Sequence, residues 1–454
     1  MNDEGESQSN SDTLSLRTKL LFSTGDLSST LTLAIQTFFQ MHFLTDVAKL
    51  EPSTVGWIIG ITRLWDAVND PVVGLISDRI KSKLGRRRVL LLYGSIPLGV
   101  AFALCWFVPP LGNLGLAIYF TLVIIAFDTS FTIVHVGFNS LTPVMTRDYD
   151  ERSSLNGYRM VFSLGGTLAA IMLVTLLGET IENDATRFLV VGVVLGTLAM
   201  IPPWIVFSIT GDYDGNDEPS QMPLWTAVQT TFSNRAFVML AAMYLASWTA
   251  TSVIAAMLVY YANYYLNIPE QAYYLILVAQ TSAVASIPLC VWLAKTYDKP
   301  KAFVVCIAVW CLVLVVFVML PRSAVTLAFV TALFCGPGIA AAAVIPWSML
   351  PDVIEVEQVD SGERREGAYY ALISFLQKLG IGVALWAIGQ LLSWSGYITP
   401  TDDVPLPDQP EAVVSMIKFI IGPMTILLLL ASLPFALRYP ITRETHHETI
   451  KRIE

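Results

Sequence analysis

The chain has 454 residues, 54% of them hydrophobic and only 14% charged, with a formal net charge of −9. Soluble domains carry about 25% charged residues, so this composition excludes an ordinary soluble enzyme. It also gives no support to nucleic-acid binding, because much of the acid sits in tails and loops. Only helices or closed barrels satisfy their backbone within lipid, and the long apolar runs point to an all-α polytopic membrane protein. Cys105, Cys290, Cys306, Cys311 and Cys335 all fall in apolar segments. An odd number without paired loop spacings predicts buried free thiols, neither disulfides nor a zinc site.

In chain order, residues 1–16 are rich in Asp, Glu, Ser and Asn and lack the basic start of a signal peptide. They read as a disordered cytoplasmic tail. Apolar runs then fall at about 18–46, 53–77, 88–108, 113–145, 153–178, 186–210, 229–265, 270–294, 302–320, 323–350, 365–394 and 411–437, which predicts twelve transmembrane helices. Basic residues gather in alternate links: Arg79 to Arg88, Arg147 with Arg152, Lys295 to Lys301, and Arg364 with Arg365. The other links are nearly free of Lys and Arg, so the positive-inside rule puts both termini in the cytoplasm. The polar stretch Gly211–Pro223 divides the chain in two. The expected organisation is a tail (1–16), a six-helix bundle (17–210), a cytoplasmic linker (211–228), a second six-helix bundle (229–438) and a tail (439–454).

The second run is the costliest. Arg63, Asp66 and Asp70 lie inside it, and a charge at the centre of a spanning helix costs roughly 2.5–3.5 kcal/mol. Asp66 and Asp70 are four residues apart, which sets both carboxylates on one helical face about 6 Å apart along the axis. Asn69 adds a neutral oxygen, and Pro71 frees the Ala67 carbonyl. Two carboxylates with neutral oxygens suit Na⁺ or an exchangeable proton. The competing reading is that the acids only neutralise Arg63, for which one carboxylate would suffice.

A faint repeat links the halves. Asn139-Ser-Leu-Thr-Pro143 ends the fourth run and Trp347-Ser-Met-Leu-Pro351 the tenth; each is followed by Glu-Arg, at Glu151-Arg152 and Glu363-Arg364. Such repeats are expected of a transporter with its site at their interface. Arg63–Gly74 followed by Ser77-Asp-Arg-Ile-Lys-Ser-Lys-Leu-Gly-Arg-Arg-Arg88, with Pro351-Asp-Val-Ile-Glu355, Gly362–Tyr370 and Phe375–Gly380, resembles the glycoside–pentoside–hexuronide:cation symporters. These are a branch of the major facilitator superfamily that includes the melibiose permease, and the resemblance runs from about Lys19 to Arg438.

The resemblance implies two six-helix bundles and a central cavity, with substrate movement coupled to Na⁺, H⁺ or Li⁺ by alternating access. Carried over by position, it puts Asp66, Asn69, Asp70 and Thr132 at the cation site, with Na⁺ at Asp66 and Asp70. It puts Arg159 at the sugar site and Lys378 near the cation aspartates. Two positions depart: Thr30 and His135 stand where the family has sugar-binding aspartates. The segment His135-Val-Gly-Phe-Asn139 is closer to the histidine-containing form of animal sodium-dependent lysophosphatidylcholine symporters. Loss of two acids with retention of two bases predicts a more positive cavity.

Read from the residues themselves, Asp128, Thr132 and His135 form one polar stripe of the fourth helix. His135 suits either an interhelical hydrogen bond or titration near neutrality. Lys378 suits neutralisation of an aspartate as well as substrate contact. Tyr244, Ser247, Trp248, Thr251, Tyr369 and Tyr370 are cavity-lining or packing residues. Asp78, Arg152 and Arg364 are expected to form a cytoplasmic gate of weak ion pairs. No GxSxG turn, His-rich metal set or GxxxxGK[ST] loop is present, so neither an enzyme nor an ATP-driven pump is expected.

The predicted protein is a monomeric, multi-pass cell-membrane symporter, in the inner membrane if the source is Gram-negative. It needs no cofactor beyond a coupling ion, with Na⁺ ranked above H⁺. The predicted substrate is a sugar, glycoside or uronide, bound by Thr30, His135, Asn139, Arg159 and Lys378. A lysophospholipid ranks second, and a non-transporting sensor is the alternative of another class.

Overall fold

The computed structural model describes residues 14–445 apart from 81, 83, 86, 147, 212–223, 323 and 362–365. All regular structure among the described residues is helical. The helices are α1 (Leu16–Ser23), α2 (Gly25–His42), α3 (Pro52–Arg79), α4 (Arg88–Cys105), α5 (Asn113–Met145), α6 (Tyr149–Thr180), α7 (Asp184–Ile209) and α8 (Leu224–Ser233). They continue with α9 (Arg235–Tyr260), α10 (Ala272–Tyr297), α11 (Lys299–Val318), α12 (Val325–Phe334), α13 (Gly336–Ser361), α14 (Glu366–Trp394), α15 (Glu411–Phe419) and α16 (Thr425–Leu437). Side-chain caps start several of them. Asp148 accepts from the Glu151 amide at 2.8 Å, Asn183 from Thr186 at 2.8 Å, and Asn234 from Ala236 at 2.9 Å.

Among the described residues, ten helical stretches are long and apolar enough to cross a bilayer. The segments with α1–α2 and with α3 fall outside that set. Ser, Thr and Gln break up the apolar surface of α2, and Arg63, Asp66, Asp70, Asp78 and Arg79 load α3 with charge. Several of the apolar runs are not single regular α-helices, the seventh among them, with a break at Asn234. The first breaks at Thr24, the tenth divides at Cys335 just before Gly336-Pro337, and the twelfth widens into a π turn at Ile420–Met424 around Pro423. Proline removes the amide that the regular ladder needs.

The chain forms two compact units, residues 1–36 with 68–219, and residues 37–67 with 220–454. In the first, α4 and α7 approach closely at Gly99 and Gly196. A Cβ added at Gly196 would lie 2.5 Å from the Gly99 carbonyl oxygen, so only glycine permits this spacing. In the second, Gly389 of α14 packs on Gly56 of α3, and its added Cβ would fall 2.5 Å from the Pro52 carbonyl oxygen.

A separate likeness, away from the repeat seen in the sequence, links the ends of α2 and α9. Helix α2 ends in a π turn (Phe43–Val47), where the Ala48 amide bonds Phe43 oxygen at 2.7 Å and the Leu50 amide bonds Leu44 oxygen at 3.0 Å. Helix α9 ends in the same way at Tyr261–Tyr265, with Leu266 to Tyr261 at 3.0 Å and Ile268 to Ala262 at 3.0 Å. Lys49 and Asn267 then take positive φ at matching positions, 60° and 55°. All five cysteines are free and buried.

Candidate functional site

In the first unit, the second half of α3 presents Asn69 and Asp70 beside the polar stripe of α5. Thr132 donates to the Asp70 carboxylate at 2.9 Å. Asn69 is buried, and its amide donates to the Asp128 carbonyl oxygen at 3.4 Å. A carboxylate of α3 and a hydroxyl of α5 thus meet, with buried Asn69 next to Asp70 in the chain.

The same α5 stripe continues through His135, Asn139 and Thr142. His135 lies 3.3 Å from the Ser29 hydroxyl through Nδ1 and 2.8 Å from the Asn139 amide nitrogen through Nε2, with its ring stacked on Phe131. Arg159 of α6 receives the chain of contacts. Its guanidinium donates to Asn139 Oδ1 at 2.8 Å and to Thr142 at 2.7 Å, and it lies over the Phe138 ring at 4.4 Å.

Arg159 also clasps Asp26 through two hydrogen bonds, at 2.7 and 3.0 Å. Thr30, one turn further along α2, donates to the Asp26 carbonyl oxygen at 3.0 Å. Asp26 is a member of this contact network that sequence reasoning missed. Its signal was present: a carboxylate near the start of an apolar run, one helical turn before a predicted site residue.

In the second unit, Asp66 is buried and accepts from Lys378 of α14 at 2.8 Å, while Arg63 approaches its other oxygen at 3.7 Å. Lys378 is thus a neutralising partner of Asp66. Arg63 is packed tightly from behind: a Cβ at Gly382 would lie 2.8 Å from Arg63 Cβ. Arg159 and Lys378 thus each face a carboxylate, Asp26 and Asp66 respectively.

Of the aromatic and polar residues on α9 and α14, Tyr244, Ser247 and Tyr369 are fully buried packing groups. Trp347 donates to the Tyr244 hydroxyl at 2.9 Å, and Asn234 to that of Tyr369 at 3.2 Å. Tyr370 is exposed and stacks on Trp347.

The predicted gate is only partly visible. Arg152 is exposed at the start of α6 and donates to the Thr146 carbonyl at 3.4 Å. The Asp78 side chain and Arg364 lie outside the described residues. A pair not foreseen is Lys299 with Asp352 at 2.6 Å, the lysine also donating to the Ser348 carbonyl at 2.8 Å. Burial and the Asp352 carboxylate raise the phenol of Tyr439, beyond the last helix.

Among curated proteins, the chain is 29% identical to an uncharacterized symporter of Synechocystis sp., over 97% of each chain. It is 25% identical to sodium-dependent lysophosphatidylcholine symporter 1 of Xenopus tropicalis, covering 99% of this chain and 92% of that one. It is 24% identical to the sphingosine-1-phosphate transporter MFSD2B of the same organism, over 96% and 90% of the two chains. Among solved structures, the crystal structure of the nucleoside transporter NupG matches with a TM-score of 0.65 at 12% identity, covering 94% of this chain and all of that one.

That likeness carries the fold alone, an all-helical arrangement. The apolar helices make this a multi-pass protein of the cell membrane. The family model for MFS/sugar transport proteins matches residues 21–443, nearly the whole chain, so this chain belongs to that family of transporters.

Proposed function

We propose that the protein is a cation-coupled symporter that moves a hydroxyl-rich sugar or glycoside by alternating access, with Na⁺ ranked above H⁺ as the coupling ion. Twelve spans and cytoplasmic termini complete this reading, with α1–α2 and α3 as the first two spans. The observation that carries it is the Asp70–Thr132 contact at 2.9 Å with Asn69 on the same turn of α3. A carboxylate inside a spanning helix marks an ion pathway, and oxygen donors favour a hard cation. Asp66, one turn earlier, is the second carboxylate of the site, and Lys378 competes with the cation for it. The sodium-dependent relative supports the choice of ion.

For the substrate, the Asp26–Arg159 pair sets an acceptor and a donor side by side, with Asn139, His135 and Thr30 nearby. Such alternation suits sugar hydroxyls, and a uronide carboxylate would have to displace Asp26 from Arg159. A lysophospholipid is the second reading, favoured by the printed substrates of two relatives and by His135. Counterflow in proteoliposomes of labelled glycosides, uronides and lysophosphatidylcholine, with and without Na⁺, tests both. Na⁺-stimulated exchange of a sugar that is lost in Asp26→Asn supports the first reading. Exchange of lysophosphatidylcholine alone supports the second, and the absence of any exchange favours a sensor.

Asp78, Arg152 and Arg364 are the proposed cytoplasmic gate. Exposed ion pairs are worth only about 0–1 kcal/mol each, which suits contacts that must break in every cycle. Arg152→Glu should slow turnover roughly three- to tenfold with little change in substrate affinity. Altered selectivity at unchanged turnover would remove the gate assignment.

A further inference from the structure

The end of α2 carries a second cluster of buried ionisable groups, separate from the residues assigned to cation and substrate. The π turn aims His42 and Asp46 at one another, Nδ1 to Oδ2 at 3.1 Å, with their side chains only 4% and 7% exposed. The contact is an ion-pair distance without good hydrogen-bond alignment. Asp46 accepts three hydroxyls as well: Thr45 at 2.7 Å, Tyr264 from the end of α9 at 2.8 Å, and Tyr397 from the segment after α14 at 2.6 Å. The Tyr397 and Tyr264 hydroxyls also meet at 3.0 Å. Tyr260 of α9 faces His42 edge-on and bonds Thr45 at 2.6 Å. Burial and the Asp46 carboxylate hold the Tyr397 phenol well above its ordinary range, so it stays a donor. Lys49, the next charge along the chain, is engaged by Asp402.

Every acceptor position of Asp46 is thus used, and His42 is the group of the cluster that can supply a compensating positive charge. We propose that His42 and Asp46 form a proton-binding site that latches the end of α2 to the end of α9 and to the segment around Tyr397. With His42 protonated, the pair is neutral as a whole, and the carboxylate holds its three hydroxyls in place. When the proton leaves, Asp46 remains as a buried charge without a counter-ion, an arrangement that favours opening toward water. Loss of the proton therefore loosens the latch, and rising pH drives that loss. In the topology proposed above, this end of α2 faces outward, and the latch senses external protons independently of the ion on α3.

Hydrogen–deuterium exchange of the full chain in phosphatidylcholine nanodiscs tests this between about pH 5.5 and 8.5, after correction for intrinsic exchange rates. Exchange over residues 37–50 should be about tenfold faster at the high end. His42→Gln should lose that rise. Asp46→Asn should lose or reverse it, because a protonated His42 would then be the uncompensated charge. If His42→Gln does not fold, the sign of the Asp46→Asn response decides alone. Uniform exchange across the range in the natural chain, or a rise that survives in either variant, would overturn the latch.

Discussion

Asp66 and Asp70 sit one helical turn apart on α3, and the side chains that meet them differ in sequence position and kind, so each can be tested by itself. Asp66 is buried between two cations, Lys378 at 2.8 Å and Arg63 at 3.7 Å. Asp70 is partly exposed and meets the neutral hydroxyl of Thr132 at 2.9 Å. A carboxylate already facing an ammonium gains little from Na⁺ unless the lysine withdraws. On the proposed reading, Asp70 with Thr132 is the primary cation ligand, and Asp66 is a ligand that Lys378 holds in reserve.

The sharpest way to break this comparison is to remove each charge in turn. Asp70→Asn keeps an oxygen for Thr132, so the helices should fold as before, while Na⁺-driven accumulation falls to background. Asp66→Asn should also abolish accumulation, but at a structural cost. It leaves Lys378 and Arg63 without their carboxylate, and breaking a buried pair costs up to about 3–5 kcal/mol, less here because Lys378 is partly exposed. Thermal unfolding in detergent should therefore separate the two variants, and adding Lys378→Gln to Asp66→Asn should restore stability without restoring coupling. Equal melting temperatures for the two single variants would show that Asp66 and Asp70 are interchangeable.

How much of this was legible beforehand follows from the physics of each residue. The cost of charge in lipid made Arg63, Asp66 and Asp70 conspicuous, and helical spacing put Asp128, Thr132 and His135 on one stripe. Partners distant in sequence were harder, because no local pattern specifies which turn of α14 meets α3; Lys378 came from the family resemblance. Asp26 escaped because the positional match pointed to Thr30, although one helical turn brings a different side chain to the same face. His42 and Asp46 escaped for a similar reason. They lie near the end of an apolar run, where no sequence pattern singles them out, and the π turn and three tyrosines bury them. The widened turns were not legible either, since two of the three contain no proline.

Lys378→Gln sharpens the contrast at an intermediate scale. If the lysine holds Asp66 in reserve, its removal should strengthen Na⁺ binding, by roughly tenfold for about one unit of differential charge stabilisation. Substrate affinity measured at saturating Na⁺ should be nearly unchanged. The opposite pattern, weaker substrate binding with an unaltered Na⁺ response, would mean that Lys378 serves the substrate and that Asp66 is not the competing ligand.

The smallest expected effect concerns the neutral partner of Asp70. Thr132→Ala removes one hydroxyl oxygen from the donor set and leaves the carboxylate in place. A net hydrogen bond to a charged group is worth about 1.5–3 kcal/mol, but water can enter the space left at this partly exposed carboxylate and recover much of it. The apparent Na⁺ affinity should therefore fall only about three- to tenfold, with maximal transport retained. Thr132→Ser, which keeps the oxygen, should lie close to the natural chain. The ordering matters more than either value: alanine weaker than serine, and both far milder than Asp70→Asn. If serine fails as badly as alanine, the threonine methyl group matters through packing on α5, and Thr132 is not an ion ligand. If both match the natural chain in titrations of transport against Na⁺, the hydroxyl orients Asp70 in the ion-free state and leaves it when the cation arrives.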